Sequence, residues 1–326
     1  METRILQPTE ENISLCASVL KAGGLVAFPT ETVYALGAVA TDAAAVKKVF
    51  EVKERPLDRP LIVAVADKSD ISKVVKSVPK KAQTLIDKFM PGALTLLFDR
   101  ADCIPDAVTA GSDSVAVRIP DNKIAIRLMK LAGAPVVVPS ANTSNGPSPT
   151  RASHVLDDLD GRIRYVLDGG ESEIGIESTV VDVRVNPPLI LRGGGVPAAD
   201  IEKAIGKVAF KREDAKSSDY APRAEVLFSA YYDGMPLSVC AKYDELAAKG
   251  RAVVVLCLNR NRAAYGNRNT YAVGEDYAEY AHSLFACLRR ADAENFDTII
   301  AEGVRPDGIG ASLINRLVKI SRGQII

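Results

Sequence analysis

Residues 23–37 read GGLVAFPTETVYALG, and they join a short apolar strand directly to a polar loop. The two glycines end a helix predicted over 9–22, LVAFP (25–29) is the strand, and TETVYALG (30–37) is the loop. A second helix is predicted over 41–53, immediately after the loop. Short apolar strands that alternate with amphipathic helices are typical of a twisted α/β sheet.

The same alternation continues outward to residue 206. Apolar runs predict further strands at 61–65, 93–98, 114–119, 135–138, 163–167, 179–184 and 189–192. Helical spacing and terminator residues predict helices at 69–76, 80–89, 124–133, 151–159 and 199–205. Residues 1–206 therefore form the first predicted domain.

A charged and polar stretch then interrupts the pattern. Residues 207–224, which include KREDAKSSDYAPR, have the composition of a linker. Beyond them, 225–326 form a second predicted domain with strands at 225–230, 252–258 and 298–304, and helices at 236–249, 276–294 and 308–321. Two crossover connections of this kind predict a small, open and largely parallel sheet, similar to a Rossmann fold.

Composition argues against several classes of protein. Lys plus Arg and Asp plus Glu both number 41, so the chain lacks the basic excess of a strongly cationic nucleic-acid binder. The five cysteines are scattered without a CxxC pair, which favours buried thiols in a reducing compartment. There are only two histidines, and no apolar run is long enough to cross a membrane. We therefore expect a cytoplasmic protein with no His/Cys metal site.

Two polar clusters follow the first strand and the second helix. Thr30 and Thr32 lie just past a strand end, where α/β proteins bind ligands, although such hydroxyls also simply stabilise turns. Lys53 and Arg55 end the helix, where cations are favourable in any protein. Because prolines then turn the chain straight into a buried strand, these cations are held in place, and they suit a triphosphate. Arg59 is a further candidate for a phosphate contact.

Two more clusters follow later strands. Ser140 and Asn142, with Ser148 after them, lie in a loop rich in Ser, Gly and Pro that suits a phosphate or ribose but also fits an ordinary turn. Arg118 ends an apolar strand, where a cation needs either a ligand carboxylate or a structural partner such as Glu177 or Asp182. The remaining polar candidates are Ser178, in a Glu-Ser-Thr segment, and Arg192, before three glycines.

The chain lacks the usual catalytic and nucleotide motifs. No Ser-His-Asp or Cys-His set can be assembled from two distant histidines, and GxxxxGK[ST] is absent. A reaction driven by positioning and charge neutralisation fits this inventory, and nucleotidyl transfer is such a reaction.

Taken together, the motifs resemble the YrdC-like family, and specifically its long, two-domain threonylcarbamoyl-AMP synthases. The resemblance rests on PTETVYALG, KERP, PGALT, SVAVRIP, PSANTSNGPSPT, GIESTVVD and LILRGG in the first domain, on DYAPRA in the linker, and on GIGASLINRLVK near the end. It implies a YrdC-like twisted mixed-sheet domain joined by a linker to a smaller Rossmann-like domain.

The resemblance also implies residue roles. The family's signature residues correspond to Lys53, Arg55, Ser140 and Asn142, which would line the ATP phosphate site and carry catalysis. Further ATP contacts correspond to Ser114, Ser148, Arg192 and the linker residue Tyr220. L-Threonine would contact Thr32, Arg118 and Ser178, with Arg118 as the partner of its carboxylate.

The implied reaction joins ATP, L-threonine and bicarbonate into threonylcarbamoyl-AMP and releases pyrophosphate, for the t6A modification of tRNA. Mg²⁺ would enter with the ATP phosphates, and the product would pass to tRNA or to a tRNA-modifying transferase complex. Residues 214–223 are predicted to close over the site as a lid that excludes water.

The chain departs from the family at four places. Ala35 stands where the family often has Gly, Arg59 where it has Asn, Ala64 where it has His, and Asp219 where it has the His of HYAP. Three alternative functions stay open. The departures suggest a paralogue that adenylates a different N-carboxy amino acid, and the other two alternatives are a carbamoyl-transfer domain and an RNA-binding YrdC-like module.

Overall fold

The computed structural model describes residues 2–211 and 220–326, and it divides into two compact units. The first unit contains the residues up to 144 together with 148–173 and 177–211. The second contains 145–147, 174–176 and the described part of 212–326.

Within the described residues, the first unit is built on one mixed, eleven-stranded sheet. Its strands are β1 (Arg4–Leu6), β2 (Val26–Phe28), β3 (Ala35–Val39), β4 (Ile62–Ala64), β5 (Leu94–Asp99), β6 (Ser114–Arg118), β7 (Val136–Val137), β8 (Tyr165–Leu167), β9 (Thr179–Asp182), β10 (Leu189–Arg192) and β11 (Ala209–Phe210). Their order is β1-β8-β2-β3-β7-β4-β6-β5-β9-β10-β11. Five neighbouring pairs are parallel and five are antiparallel.

Helices cover both faces of this sheet. They are α1 (Glu10–Lys21), α2 (Ala43–Lys53), α3 (Lys80–Phe89), α4 (Asp106–Thr109), α5 (Lys123–Ala132), α6 (Ala152–Leu159) and α7 (Ala198–Ile205), with a 3₁₀ helix at Lys68–Lys73. Side chains alternate along each strand, so one face carries buried residues such as Val63 and Val117 of the larger core, and the other carries Ala64 and Val136 of the core beside α1 and α5.

Local chemistry fixes α2, the helix that ends at Lys53. The Asp42 carboxylate caps its first turn by accepting from the N–H groups of Ala44 and Ala45. The helix ends because Glu54 adopts a left-handed conformation at φ 51°. Because both ends of this short helix are fixed, the position of Lys53, its last residue, is fixed as well.

The second unit contains a four-stranded, fully parallel sheet. Its strands are β12 (Glu225–Phe228), β13 (Val253–Cys257), β14 (Thr270–Ala272) and β15 (Thr298–Ala301), in the order β12-β15-β13-β14. Its helices are α8 (Met235–Ala248), α9 (Tyr277–Ala293) and α10 (Gly310–Ile320), with a 3₁₀ helix at Asn259–Tyr265. Strand β13 is buried along its whole length, as expected for a central parallel strand.

The fold class is confirmed: a large mixed sheet, and a smaller parallel sheet after the linker. The loop assigned to 30–37 is wrong in its second half, because residues 35–39 form β3 and pair with β2 and β7. The helix predicted at 69–76 is a shorter 3₁₀ helix, and β1, β11, β14 and α4 were not predicted. In the part of the chain that the structure describes, no helix combines the length and apolarity needed to cross a membrane.

Candidate functional site

Two of the polar loops predicted from the sequence lie side by side in the first unit. The N–H of Ala141 donates to the Tyr34 carbonyl and the N–H of Leu36 donates to the Pro139 carbonyl, both at 2.8 Å. The N–H of Tyr34 in turn donates to the carbonyl of Pro149 at 2.8 Å. These backbone bonds hold the loop that contains Thr30 and Thr32 against the loop that contains Ser140 and Asn142.

Lys53, the last residue of α2, contacts the loop that contains Ser140 and Asn142. Its Nζ donates to the backbone carbonyls of Ser140 and Asn142, and the residue is only 2% exposed. Burial, and then the neighbouring Arg55 charge, lower the pKa of the Lys53 ammonium from 10.5 to about 7, while Asp158 opposes the shift. The lysine therefore fixes the Ser-Ala-Asn loop and carries a proton that is weakly held.

The turn after Lys53 holds Arg55 in place, as was predicted from Pro56 and Pro60. The Arg55 guanidinium donates from Nε to the carbonyl of Arg59 at 3.3 Å and from Nη2 to the carbonyl of Pro60 at 3.1 Å. The guanidinium is half-buried and anchored to its own loop. Arg59 takes part through its backbone carbonyl.

Arg118 forms a buried ion pair with a residue that the sequence did not single out. Its Nη2 lies 2.6 Å from Glu31 Oε1, and the two side chains are 7% and 4% exposed. Its Nη1 donates to the Thr32 hydroxyl at 3.0 Å. Within the described chain, Arg118 Nε and Glu31 Oε2 are both buried and have no hydrogen-bond partner. The predicted structural partners Glu177 and Asp182 were wrong, since Asp182 pairs with Arg184.

Ser178 lies at the centre of a second hydroxyl cluster. It shares a 2.7 Å hydrogen bond with the Thr95 hydroxyl, and Arg192 donates to its carbonyl at 3.0 Å and to its hydroxyl at 3.3 Å. Gly194 packs so closely here that a Cβ would lie 2.3 Å from the Glu177 carbonyl oxygen. Gly194 thus allows the loops of two strands to meet, because a side chain at this position would clash with the backbone.

Ser148 and Glu177 join the remaining clusters. The buried Ser148 hydroxyl donates to Glu177 Oε1 at 2.7 Å, which connects the Ser-Ala-Asn loop to the segment containing Ser178. Glu31, Thr95 and Glu177 are the contributors that the sequence did not assign to the site. The sequence did point to Glu31, because its carboxylate stands between two threonines just after a predicted strand.

The structure does not bring every candidate together. Ser114 begins β6 and Arg118 ends it, so the two lie about 13 Å apart along the strand. The Ser114 hydroxyl bonds to Ser112 at 2.8 Å. Ala64 is the register partner of Arg118 on β4, which places this departure from the family beside the arginine. Residues 220–223 of the predicted lid belong to the second unit, and residues 214–219 lie outside the described residues.

The first unit thus gathers two fixed cations, a buried Arg–Glu pair and a row of hydroxyls into one network. Such a set can bind anions and position them. Across the described residues, no group of three His, Cys, Asp or Glu side chains could hold a metal ion.

Comparison with known families accounts for nearly the whole chain. A family model described as "Telomere recombination" matches residues 18–194, and one described as "Threonylcarbamoyl-AMP synthase, C-terminal domain" matches residues 196–321. Threonylcarbamoyl-AMP synthase from Pyrococcus abyssi is 41% identical, over 97% of this chain and 96% of its own length. The Bacillus subtilis enzyme of the same name is 39% identical, over 98% of this chain and 96% of its own.

Solved structures give the same result. The crystal structure of P. abyssi Sua5 complexed with L-threonine has a TM-score of 0.94 and 38% sequence identity. The match covers 99% of both chains. Both units of the present chain therefore have counterparts in one relative of similar length.

Proposed function

The chain belongs to the family of threonylcarbamoyl-AMP synthases and is an enzyme of that family, and from this premise we propose that it converts ATP, L-threonine and bicarbonate to threonylcarbamoyl-AMP and pyrophosphate. The observation that carries the proposal is the network in the first unit. Lys53 is bonded to the loop that contains Ser140, and Arg118 is paired with Glu31 on a second loop. These two loops are hydrogen-bonded to each other. Sites for a polyphosphate and for an amino acid are thereby joined.

The nucleotide half of the site is assigned to the cations and the Ser-Ala-Asn loop. Lys53 and Arg55 would neutralise phosphate oxygens, and Ser140 and Asn142 would position the triphosphate for in-line attack. Ser148, Arg192 and Tyr220 are proposed to complete the contacts with ATP. Ser114 remains a proposal supported only by the family resemblance. Arg59, which stands where the family often has Asn, is proposed as an added phosphate contact.

The amino-acid half is assigned to Arg118, Thr32 and Ser178. The anchored Arg118 guanidinium would bind the threonine carboxylate, because a buried cation with fixed partners loses little side-chain entropy on binding. The two hydroxyls would orient the rest of the amino acid. The Glu31 carboxylate keeps the guanidinium in one orientation.

The chemistry proceeds in two stages. The threonine amine attacks CO₂ derived from bicarbonate and loses a proton, giving N-carboxy-threonine. The new carboxylate then attacks the α-phosphate of ATP, and pyrophosphate leaves. Since both reactants are anions, the charges of Lys53, Arg55 and Arg118 would lower the cost of bringing them together.

Mg²⁺ is proposed to enter as a complex with ATP, because the phosphate oxygens are ligands of the kind that Mg²⁺ prefers. The ion would neutralise part of the triphosphate charge. The product is proposed to serve tRNA threonylcarbamoyladenosine formation through a separate transferase. The five cysteines, all free, support a reducing compartment such as the cytoplasm.

Pyrophosphate release tests the proposal. The purified chain is incubated with MgATP, and L-threonine and bicarbonate are omitted in turn. Release that requires both is the expected result. Release with another amino acid would retain the chemistry but change the substrate, with Ala64 beside Arg118 as the first residue to examine. No release under any condition would contradict the proposed function.

A further inference from the structure

The buried pair of Arg118 and Glu31 in the first unit has hydrogen-bonding capacity that the protein does not use. Arg118 Nη2 donates to Glu31 Oε1 at 2.6 Å, and Nη1 donates to the Thr32 hydroxyl at 3.0 Å. Two more polar atoms of the pair, Arg118 Nε and Glu31 Oε2, are buried and have no hydrogen-bond partner among the described residues. The first carries an N–H donor and the second is a carboxylate acceptor. The pair therefore has one donor and one acceptor left over.

Unused polar atoms of this kind are rare inside proteins, because a buried polar group without a partner loses its hydration and gains nothing in return. The Arg118 and Glu31 side chains are 7% and 4% exposed, so bulk water has little access to them. The nearest hydroxyl is already engaged, since Thr32 bonds to Arg118 and shares a 2.8 Å hydrogen bond with Thr30. A ligand that brings an acceptor and a donor together would complete the pair.

The charges of the pair restrict the chemistry of that ligand. An anionic group is the strongest partner for the guanidinium, and a cationic group is the strongest partner for the remaining carboxylate oxygen. The two ligand groups must also lie close together, because the guanidinium and the carboxylate are themselves in contact. An α-amino acid in its zwitterionic form carries a carboxylate and an ammonium group on one carbon, so it meets both conditions.

From this geometry we propose that Glu31 binds the ammonium group of the amino-acid substrate through Oε2, while Arg118 binds the substrate carboxylate through Nε. The inference rests on the proposed function, which assigns Arg118 to the threonine carboxylate, and it adds a charged contact at the other end of the zwitterion. Oε1 fixes the guanidinium and Oε2 is left for the substrate, so the two tasks do not compete. Glu31 is then a specificity-determining residue, because it selects substrates that carry the amine to be carboxylated.

Ligand binding to the full-length chain tests this assignment without turnover. Calorimetry measures the dissociation constants of L-threonine and of its dihydroxybutyrate analogue, in which a hydroxyl replaces the ammonium group and the configuration is kept. We expect the wild type to bind L-threonine about 10- to 100-fold more tightly, because the analogue lacks the charge-assisted hydrogen bond to Glu31.

Glu31→Gln should remove this preference. The amide oxygen can still accept from Arg118, but the amide N–H groups then face the ammonium group, so donor meets donor. We expect L-threonine to bind about 10- to 100-fold more weakly and the dihydroxybutyrate analogue to change less than about threefold. A residue that only supported Arg118 would affect both ligands equally, since both carry the carboxylate.

Glu302→Gln is the matched control. Glu302 is a fully buried carboxylate of the second unit, and it accepts from the Leu258 N–H at 2.8 Å and from the Tyr265 hydroxyl. The same substitution there should leave both dissociation constants unchanged. If Glu31→Gln does not fold, Glu31→Asp replaces it, because the shorter side chain retains the negative charge. The preference for L-threonine should then fall at least about threefold.

The outcomes separate this inference from the proposed function. If the wild type shows no preference for L-threonine, or if a folded Glu31 variant weakens both ligands equally, the ammonium contact is wrong. If Glu31→Gln removes the preference but the wild type releases no pyrophosphate, the ammonium contact holds and the proposed reaction fails. If pyrophosphate release requires L-threonine but the Glu31 variants keep the preference, the reaction holds and the ammonium contact fails.

Discussion

At the scale of single residues, Lys53 determines how the candidate site responds to pH. Its ammonium is buried against two carbonyls and next to Arg55, so its pKa is about 7. Folding favours its neutral form. In the ligand-free protein this lysine therefore contributes stability above its ordinary pKa of 10.5, and that contribution is lost as the pH falls to about 7.

This weakly held proton predicts that ATP binding takes up a proton. Phosphate oxygens near Lys53 would restore its ammonium form, so ATP binding at pH 8 should take up most of one proton, and the uptake should vanish well below pH 7. Calorimetric titrations at pH 8 in buffers of different ionisation enthalpy measure the uptake. Lys53→Met should abolish the uptake, whereas Lys249→Met, which replaces an exposed lysine of the second unit, should not. Equal uptake in wild type and Lys53→Met would contradict the assignment.

The sequence identified most of the charged residues here but not their pairing. Arg118 was predicted to need a partner because it ends an apolar strand, and the structure supplies Glu31. Sequence spacing could not identify that partner, since the two residues are 87 positions apart and meet only through the sheet. Lys53 was predicted to be held in place, but its bonds to the carbonyls of Ser140 and Asn142 depend on the same long-range packing.

At the scale of elements, the loops after β10 and before β9 fit together only because residue 194 is glycine. A Cβ on Gly194 would lie 2.3 Å from the Glu177 carbonyl oxygen and 2.5 Å from the Thr179 nitrogen. The N–H of Gly195 donates to that same carbonyl at 3.0 Å. The contact therefore sets the position of Ser178 between them.

Gly194→Ala should consequently damage threonine binding. We expect the KM for L-threonine to rise at least about tenfold, because displacing a positioning element by an ångström costs up to about a hundredfold. The free energy of unfolding should fall by about 1–3 kcal/mol through overpacking. Initial rates of pyrophosphate release and denaturant unfolding measure the two effects.

Gly303→Ala is the matched control for this substitution. Its Cβ would lie 2.2 Å from the Ser229 carbonyl oxygen in the second unit. A similar loss of stability with an unchanged KM for threonine is expected. An equal rise of that KM in both variants would show that destabilisation alone is responsible.

The sequence predicted where strands and helices occur better than it predicted which strands pair. The alternation of apolar strands and helices predicted both sheets, because periodicity is a local property. Strand β3 was assigned to a loop since its Ala-Leu-Gly-Ala-Val sequence is short and rich in small residues. The eleven-strand order could not be predicted at all, because pairs such as β1 with β8 join residues more than 150 positions apart.

At the scale of the whole molecule, charge balance limits what the protein binds. The 41 basic and 41 acidic side chains cancel, so no net positive field attracts a polyanion over long distances. A protein that neutralises several phosphates of a nucleic acid loses about 10³- to 10⁵-fold in affinity between 50 and 200 mM salt. Association with RNA by this chain should therefore be weak at physiological salt, in contrast to its use of ATP.

We accordingly expect unmodified tRNA to leave the rate of pyrophosphate release within about twofold of its value without RNA, because the reaction precedes any step on tRNA. Filter binding at 200 mM salt should retain no more tRNA than heparin, a sulfated polyanion without tRNA structure, when the two are compared at an equal concentration of anionic groups. Saturable tRNA binding at that salt, with turnover that rises as tRNA binds, would contradict this expectation. It would instead indicate that a local basic surface overrides the neutral charge of the chain and couples the nucleotidyl-transfer site directly to RNA.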